Sequence, residues 1–109
     1  MNKTHIDDYV GGWFIGDFEP SLLRDHSFEI GFKCYSRGDT EPVHYQLTAT
    51  EYTLVLSGRC RLGDFELGPG DILEIRPHEP AGFEALEDVQ LVAIKTPSIP
   101  SDKRVGRPG

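Results

Sequence analysis

Gly38-Asp39-Thr40-Glu41-Pro42-Val43-His44-Tyr45-Gln46-Leu47-Thr48-Ala49-Thr50-Glu51-Tyr52-Thr53-Leu54-Val55-Leu56-Ser57-Gly58 is the stretch that decides the fold. Glycines punctuate both ends, and the runs 43–47 and 52–57 between them carry β-branched and aromatic residues. Such side chains suit a pleated, half-buried surface, so two strands are expected here. The polar spacing inside is His44-x-Gln46, followed by Glu51. Side chains two apart on a strand point the same way, which puts His44 and Gln46 on one face. A hairpin would bring Glu51 back beside them.

The strand pattern continues outward in both directions. Residues 28–35 alternate, with Phe28, Ile30, Phe32 and Cys34 on one face and Glu29, Gly31, Lys33 and Tyr35 on the other. That is the mark of a half-buried strand. Ser36-Arg37-Gly38-Asp39 reads as a turn. Residues 59–62 and 65–67 flank Gly63-Asp64, a two-residue hairpin signal. Pro69-Gly70 opens another turn, and residues 71–75, 83–86 and 89–95 complete the series. Short strands at this spacing predict an antiparallel sandwich or barrel and argue against alternating βαβ units.

The two ends read differently. Residues 1–27 form an irregular aromatic segment containing Tyr9 and Gly12-Trp13-Phe14, with Pro20-Ser21 as a candidate helical turn capped by Ser21. Residues 28–97 are the expected barrel. Residues 98–109, with Pro100, Gly106, Pro108 and Gly109, read as a mobile tail.

A chain of 109 residues makes one domain. Its net charge of −7 is uneven: the tail from residue 98 carries +2, which leaves −9 on residues 1–97. A body this acidic repels polyanions, which argues against nucleic acid and anionic membrane as partners. Cys34 and Cys60 lack zinc-site spacing and read as small packed residues. The opening MNKTHIDDYV has no apolar run, so a cytoplasmic protein with reduced thiols is expected.

Gly38-x5-His44-x-Gln46-x4-Glu51-x6-Gly58 resembles the first metal-binding motif of the cupins, with Gln46 where the family pattern has a second histidine. Gly70-Asp71 opens a stretch similar to the second cupin motif, in which Arg76, His78 and Ala81 replace the usual proline, glycine and metal-binding histidine. Gly12-Trp13-Phe14 and Thr96-Pro97-Ser98 resemble a group of small uncharacterised cupins. The resemblance implies an all-β, cupin-type double-stranded β-helix, a jelly-roll barrel of antiparallel strands. It also implies a homodimer and a small-molecule ligand or metal in the barrel mouth.

Two altered ligand positions leave the chemistry open between three readings. One is a small-molecule-binding protein, isomerase- or epimerase-like on a small polar or sugar-derived substrate. There His44 is the base or anchor, Glu51 its partner, Tyr35 the acid, and Gln46 a ligand contact. Arg76 is a further candidate as an anion anchor and His78 as a replacement pocket histidine. For Arg76 the alternative is an exposed ion pair with Glu74, and for His78 an exposed loop position. The second reading is a metal-dependent oxygenase or isomerase holding Fe, Mn, Ni or Zn through His44, Gln46 and Glu51. The third is a non-catalytic partner or regulatory protein.

Overall fold

A computed structural model describes residues 1–109. Ten strands follow one another: β1 (Trp13–Ile15), β2 (Glu29–Tyr35), β3 (Thr40–Gln46), β4 (Thr50–Ser57) and β5 (Cys60–Leu62) come first. Then come β6 (Phe65–Leu67), β7 (Ile72–Ile75), β8 (Ala81–Ala85), β9 (Val89–Thr96) and β10 (Lys103–Val105). They form two five-stranded sheets of order β1-β2-β9-β4-β7 and β10-β3-β8-β5-β6. All the strand pairs are antiparallel. No helix is long and apolar enough to cross a membrane.

The hairpin expected at Gly63-Asp64 is present, with Leu62 paired to Phe65 around a two-residue loop. Gly58 ends β4 with φ +78°, and a Cβ there would lie 2.0 Å from the Asp88 carbonyl oxygen. Only glycine accepts both that backbone and that approach.

Between the sheets, Val55, Cys60, Leu62, Leu67, Phe83 and Leu91 form a buried core. Each fully buried aliphatic or aromatic side chain contributes about 1.5–3 kcal/mol. Alternation along β4 turns Glu51, Thr53 and Val55 inward in succession, so the interior grades from core to polar wall. The same alternation leaves Leu54, Leu56, Val92 and Ile94 on the outer face of the first sheet, where Leu56 is exposed.

Several expectations need correction. Residues 98–109 do not hang free: Ser98 and Asp102 are buried, and β10 pairs with β3 over Lys103–Val105. Asp102 is what docks this segment, because its carboxylate accepts from the Thr48 and Ala49 amides at 3.0 and 2.8 Å. The amino-terminal segment also joins the barrel, through β1 on β2. Ser21 caps no helix; its hydroxyl donates to the Leu23 carbonyl at 2.6 Å. The helical turns lie instead at Ile6–Asp8 and Val10–Gly12. Cys60 is buried as expected, but Cys34 is exposed.

Candidate functional site

The open end of the barrel holds a cavity of about 180 Å³ whose apolar floor is Leu62, Phe83 and Leu91. Its walls are polar, and they come from both sheets. His44 and Glu41 enter from β3, Tyr35 and Lys33 from β2, Glu51 from β4 and Lys95 from β9. Trp13 and Lys103 complete the rim.

The register of β3 shifts between Glu41 and His44, which pair with Phe83 and Ala81 of β8 respectively. Such a bulge resets the two-residue alternation, so Glu41 and His44 line one cavity although three positions apart. The His44 ring Nδ1 lies 3.1 Å from the Pro42 carbonyl. A carbonyl only accepts, so Nδ1 carries a proton, and in the neutral ring Nε2 is the nitrogen with the lone pair.

Tyr35 donates its hydroxyl to Glu41 Oε1 at 2.7 Å. Burial holds the phenol well above the ordinary tyrosine range, and the Glu41 carboxylate pushes it the same way. Tyr35 is therefore a neutral proton donor, never a phenolate base, at any ordinary pH.

Glu51 reaches the cavity by a different route from the hairpin expected. β3 and β4 do not pair; residues 47–49 carry the chain from one sheet to the other, so Glu51 faces the cavity from the sheet opposite His44. In its own sheet Glu51 stands beside Lys95, and Lys95 stands beside the buried Glu29. Burial raises the Glu29 carboxyl, and Lys95 works against that rise.

Gln46 is buried at 4% exposure, off the cavity lining, and its Nε2 has no hydrogen-bond partner. Arg76 and His78 are not at the cavity. Arg76 pairs with Glu74 at 3.1 Å on the surface. His78 sits at φ +68° in a turn and stacks on Tyr45, ring centroids 5.8 Å apart. Tyr45 alternates outward from His44, and it takes the imidazole with it.

The three lysines were not singled out from sequence. Trp13 lies against Gly31, where a Cβ would come within 2.7 Å of its ring. Lys33 and Lys95 place their amines 5.5 and 4.9 Å from that ring's centre. The sequence signal was present in Lys33 and Tyr35, which share the polar face of β2. Nothing in the pattern says that this face turns inward.

The donor set does not fit a divalent metal. No three His, Cys, Asp or Glu side chains come together anywhere in the chain. The partner of His44 across the β3–β8 ladder is Ala81, a methyl group. Three ammonium groups around the same cavity oppose a cation further.

An uncharacterized conserved protein with a double-stranded beta-helix domain from Klebsiella pneumoniae superposes with a TM-score of 0.73, covering 97% of this chain and 92% of that one at 17% identity. The chain has the cupin fold. A cupin-superfamily sugar phosphate isomerase from Silicibacter pomeroyi superposes with a TM-score of 0.65 at 17% identity, over 73% of this chain and 57% of that one. The bacterial pirin YhhW of Escherichia coli, in complex with nickel(II), gives 0.66 at 14% identity, over 80% and 39% of the two chains. No family model matches the sequence, and no curated protein matches it.

Proposed function

We propose that this cupin binds a small polar molecule, sugar-derived or similar, in the barrel mouth and moves a proton on it in the manner of an isomerase or epimerase. The observation that carries the reading is the gathering of His44, Glu51 and Tyr35 on one cavity from three strands in two sheets. His44 Nε2 is the base that takes a proton from a carbon beside a carbonyl. Glu51, facing it across the cavity, stabilises the imidazolium that results. Tyr35, held neutral, turns its single hydroxyl proton from Glu41 to the oxygen on which negative charge builds when substrate binds.

The isomerase name of the Silicibacter neighbour agrees with this chemistry. A homodimer formed through the apolar outer face of the first sheet, acting in the cytoplasm, completes the proposal. Leu56 and Ile72, exposed at 45% and 65%, lie on that face.

The test is deuterium wash-in. A panel of small hydroxy-aldehydes and hydroxy-ketones is incubated with the protein in D₂O, and exchange at the carbon next to the carbonyl is followed by NMR. Exchange that is catalysed by the wild type and lost in His44→Ala and Tyr35→Phe is the result expected. Exchange at the uncatalysed rate across the panel would overturn the proton-transfer role. Saturable binding without exchange would reduce the protein to a carrier.

A further inference from the structure

The cavity gathers three lysines in an acidic protein. Seven salt bridges are formed by the chain, and all of them use arginine or histidine. None uses a lysine, although Lys33, Lys95 and Lys103 converge on one cavity. Lys33 is half-buried and donates to the Gly11 carbonyl at 2.7 Å, a neutral partner. Burial lowers the Lys33 amine below the ordinary lysine range, Glu41 opposes that, and Lys95 and Lys103 lower it further.

A second observation is independent of the lysines. Gln46 lies two residues along β3 from His44 and directly across the ladder from Lys103. Its buried amide nitrogen donates to nothing. An unpartnered buried donor costs about 1–3 kcal/mol, so it calls for an acceptor. Gln46 is off the cavity lining, but its spare donor lies behind two residues that are on it, His44 and Lys103.

The balance of charge sets the kind of anion. Three lysines stand against Glu41 and Glu51 on the cavity wall, with Glu29 beside Lys95 behind it, so the positive field is a small one. A phosphate group carries about −1.5 to −2 at neutral pH and would meet two carboxylates, whereas a carboxylate brings a single charge. The modest cavity volume asks for a small molecule.

We propose that the ligand is a small carboxylate monoanion, held by Lys33, Lys95 and Lys103. This rests on the reading of the cavity as a small-molecule site and names the class of molecule it takes. The carboxylate docks among the lysines at the Trp13 rim, leaving the rest of the molecule between His44 and Glu51. Trp13 stacks on the lysines and fixes where their amines point.

Glycolate, its neutral amide glycolamide and inorganic phosphate are titrated separately into the full chain, followed by calorimetry and by NMR of the lysine amines. Glycolate is expected to bind at least about tenfold more tightly than glycolamide and to weaken as salt rises. Lys95→Met and Lys103→Met should each lower its affinity about tenfold, while Lys3→Met at the exposed amino terminus leaves it unchanged. In the wild type, where no variant can misfold, glycolate should raise the titration midpoint of Lys33.

Glycolamide binding as well as glycolate would overturn the carboxylate inference and leave the site reading standing. Phosphate binding more tightly than glycolate would overturn it as well, in favour of a dianion. If none of the three binds, the inference falls. The wash-in experiment then decides separately whether the cavity acts on neutral molecules.

Discussion

Ala81 stands directly across the β3–β8 ladder from His44, so the imidazole has a methyl group for its neighbour where a metal site needs a ligand. The position is buried at 7% exposure. Zn²⁺ or Ni²⁺ titrated into untagged wild-type protein is expected to bind weakly and without single-site stoichiometry. The double variant Gln46→His, Ala81→His should gain one site and bind at least about tenfold more tightly. Stoichiometric tight metal in the wild type, lost in His44→Ala, would return this cavity to metal chemistry.

Asp102 holds the crossover that sets His44 in one sheet against Glu51 in the other. Two amides, of Thr48 and Ala49, donate to its buried carboxylate. Asp102→Ala should cost roughly 2–4 kcal/mol in denaturant unfolding, since it strands both donors. The pH dependence follows from the same bonds. Burial alone would raise this carboxyl, but the Ala49 and Thr48 amides, with Lys95, hold it below the ordinary aspartate value of 3.8. A carboxyl lowered in the native state adds stability above its unfolded value and loses it as pH falls through the native one. Wild-type stability should therefore drop more steeply than that of Asp102→Asn as pH falls below about 4. Parallel curves would remove Asp102 from the acid response.

Gly31 is the bare backbone on which Trp13 lies. A methyl group there would sit 2.7 Å from the Trp13 ring, so Gly31→Ala must displace the indole from the rim. The expected cost is about 1–3 kcal/mol of stability, together with a blue or red shift in tryptophan emission, Trp13 being the sole tryptophan. Unchanged emission would mean that Trp13 does not pack there.

Tyr35 and Glu41 are coupled through the 2.7 Å bond between them. Tyr35→Phe should lower stability by about 1 kcal/mol and abolish exchange in the wash-in assay without weakening carboxylate binding. Equal loss of binding and exchange would make Tyr35 a binding group only.

The glycine-bracketed stretch made the barrel legible because turns and β-branched runs are local signals. Gly58 needs its positive φ, and residues 43–47 and 52–57 are strands wherever they lie. What the sequence left undetermined is which face of β2 turns inward. Ile30 and Phe32 make the apolar face, yet Glu29, Lys33 and Tyr35 are the ones inside, because a barrel that binds something keeps a polar wall. Alternation gives two faces and no direction. The placement of Glu51 was missed for a related reason: a seven-residue spacing from His44 fits a hairpin and a sheet-to-sheet crossover equally. The tail escaped because Asp102 binds amides more than fifty positions away, and no local pattern encodes that.

His44 is the residue on which the function turns, and its ring can be watched directly. Long-range ¹H–¹⁵N NMR of the imidazole during a glycolate titration separates its two nitrogens. The result expected is a saturable shift of Nε2 with Nδ1 remaining protonated, lost when the lysines are replaced. A His44 ring that stays unperturbed while glycolate binds elsewhere on the protein would show that this cavity is not the functional site.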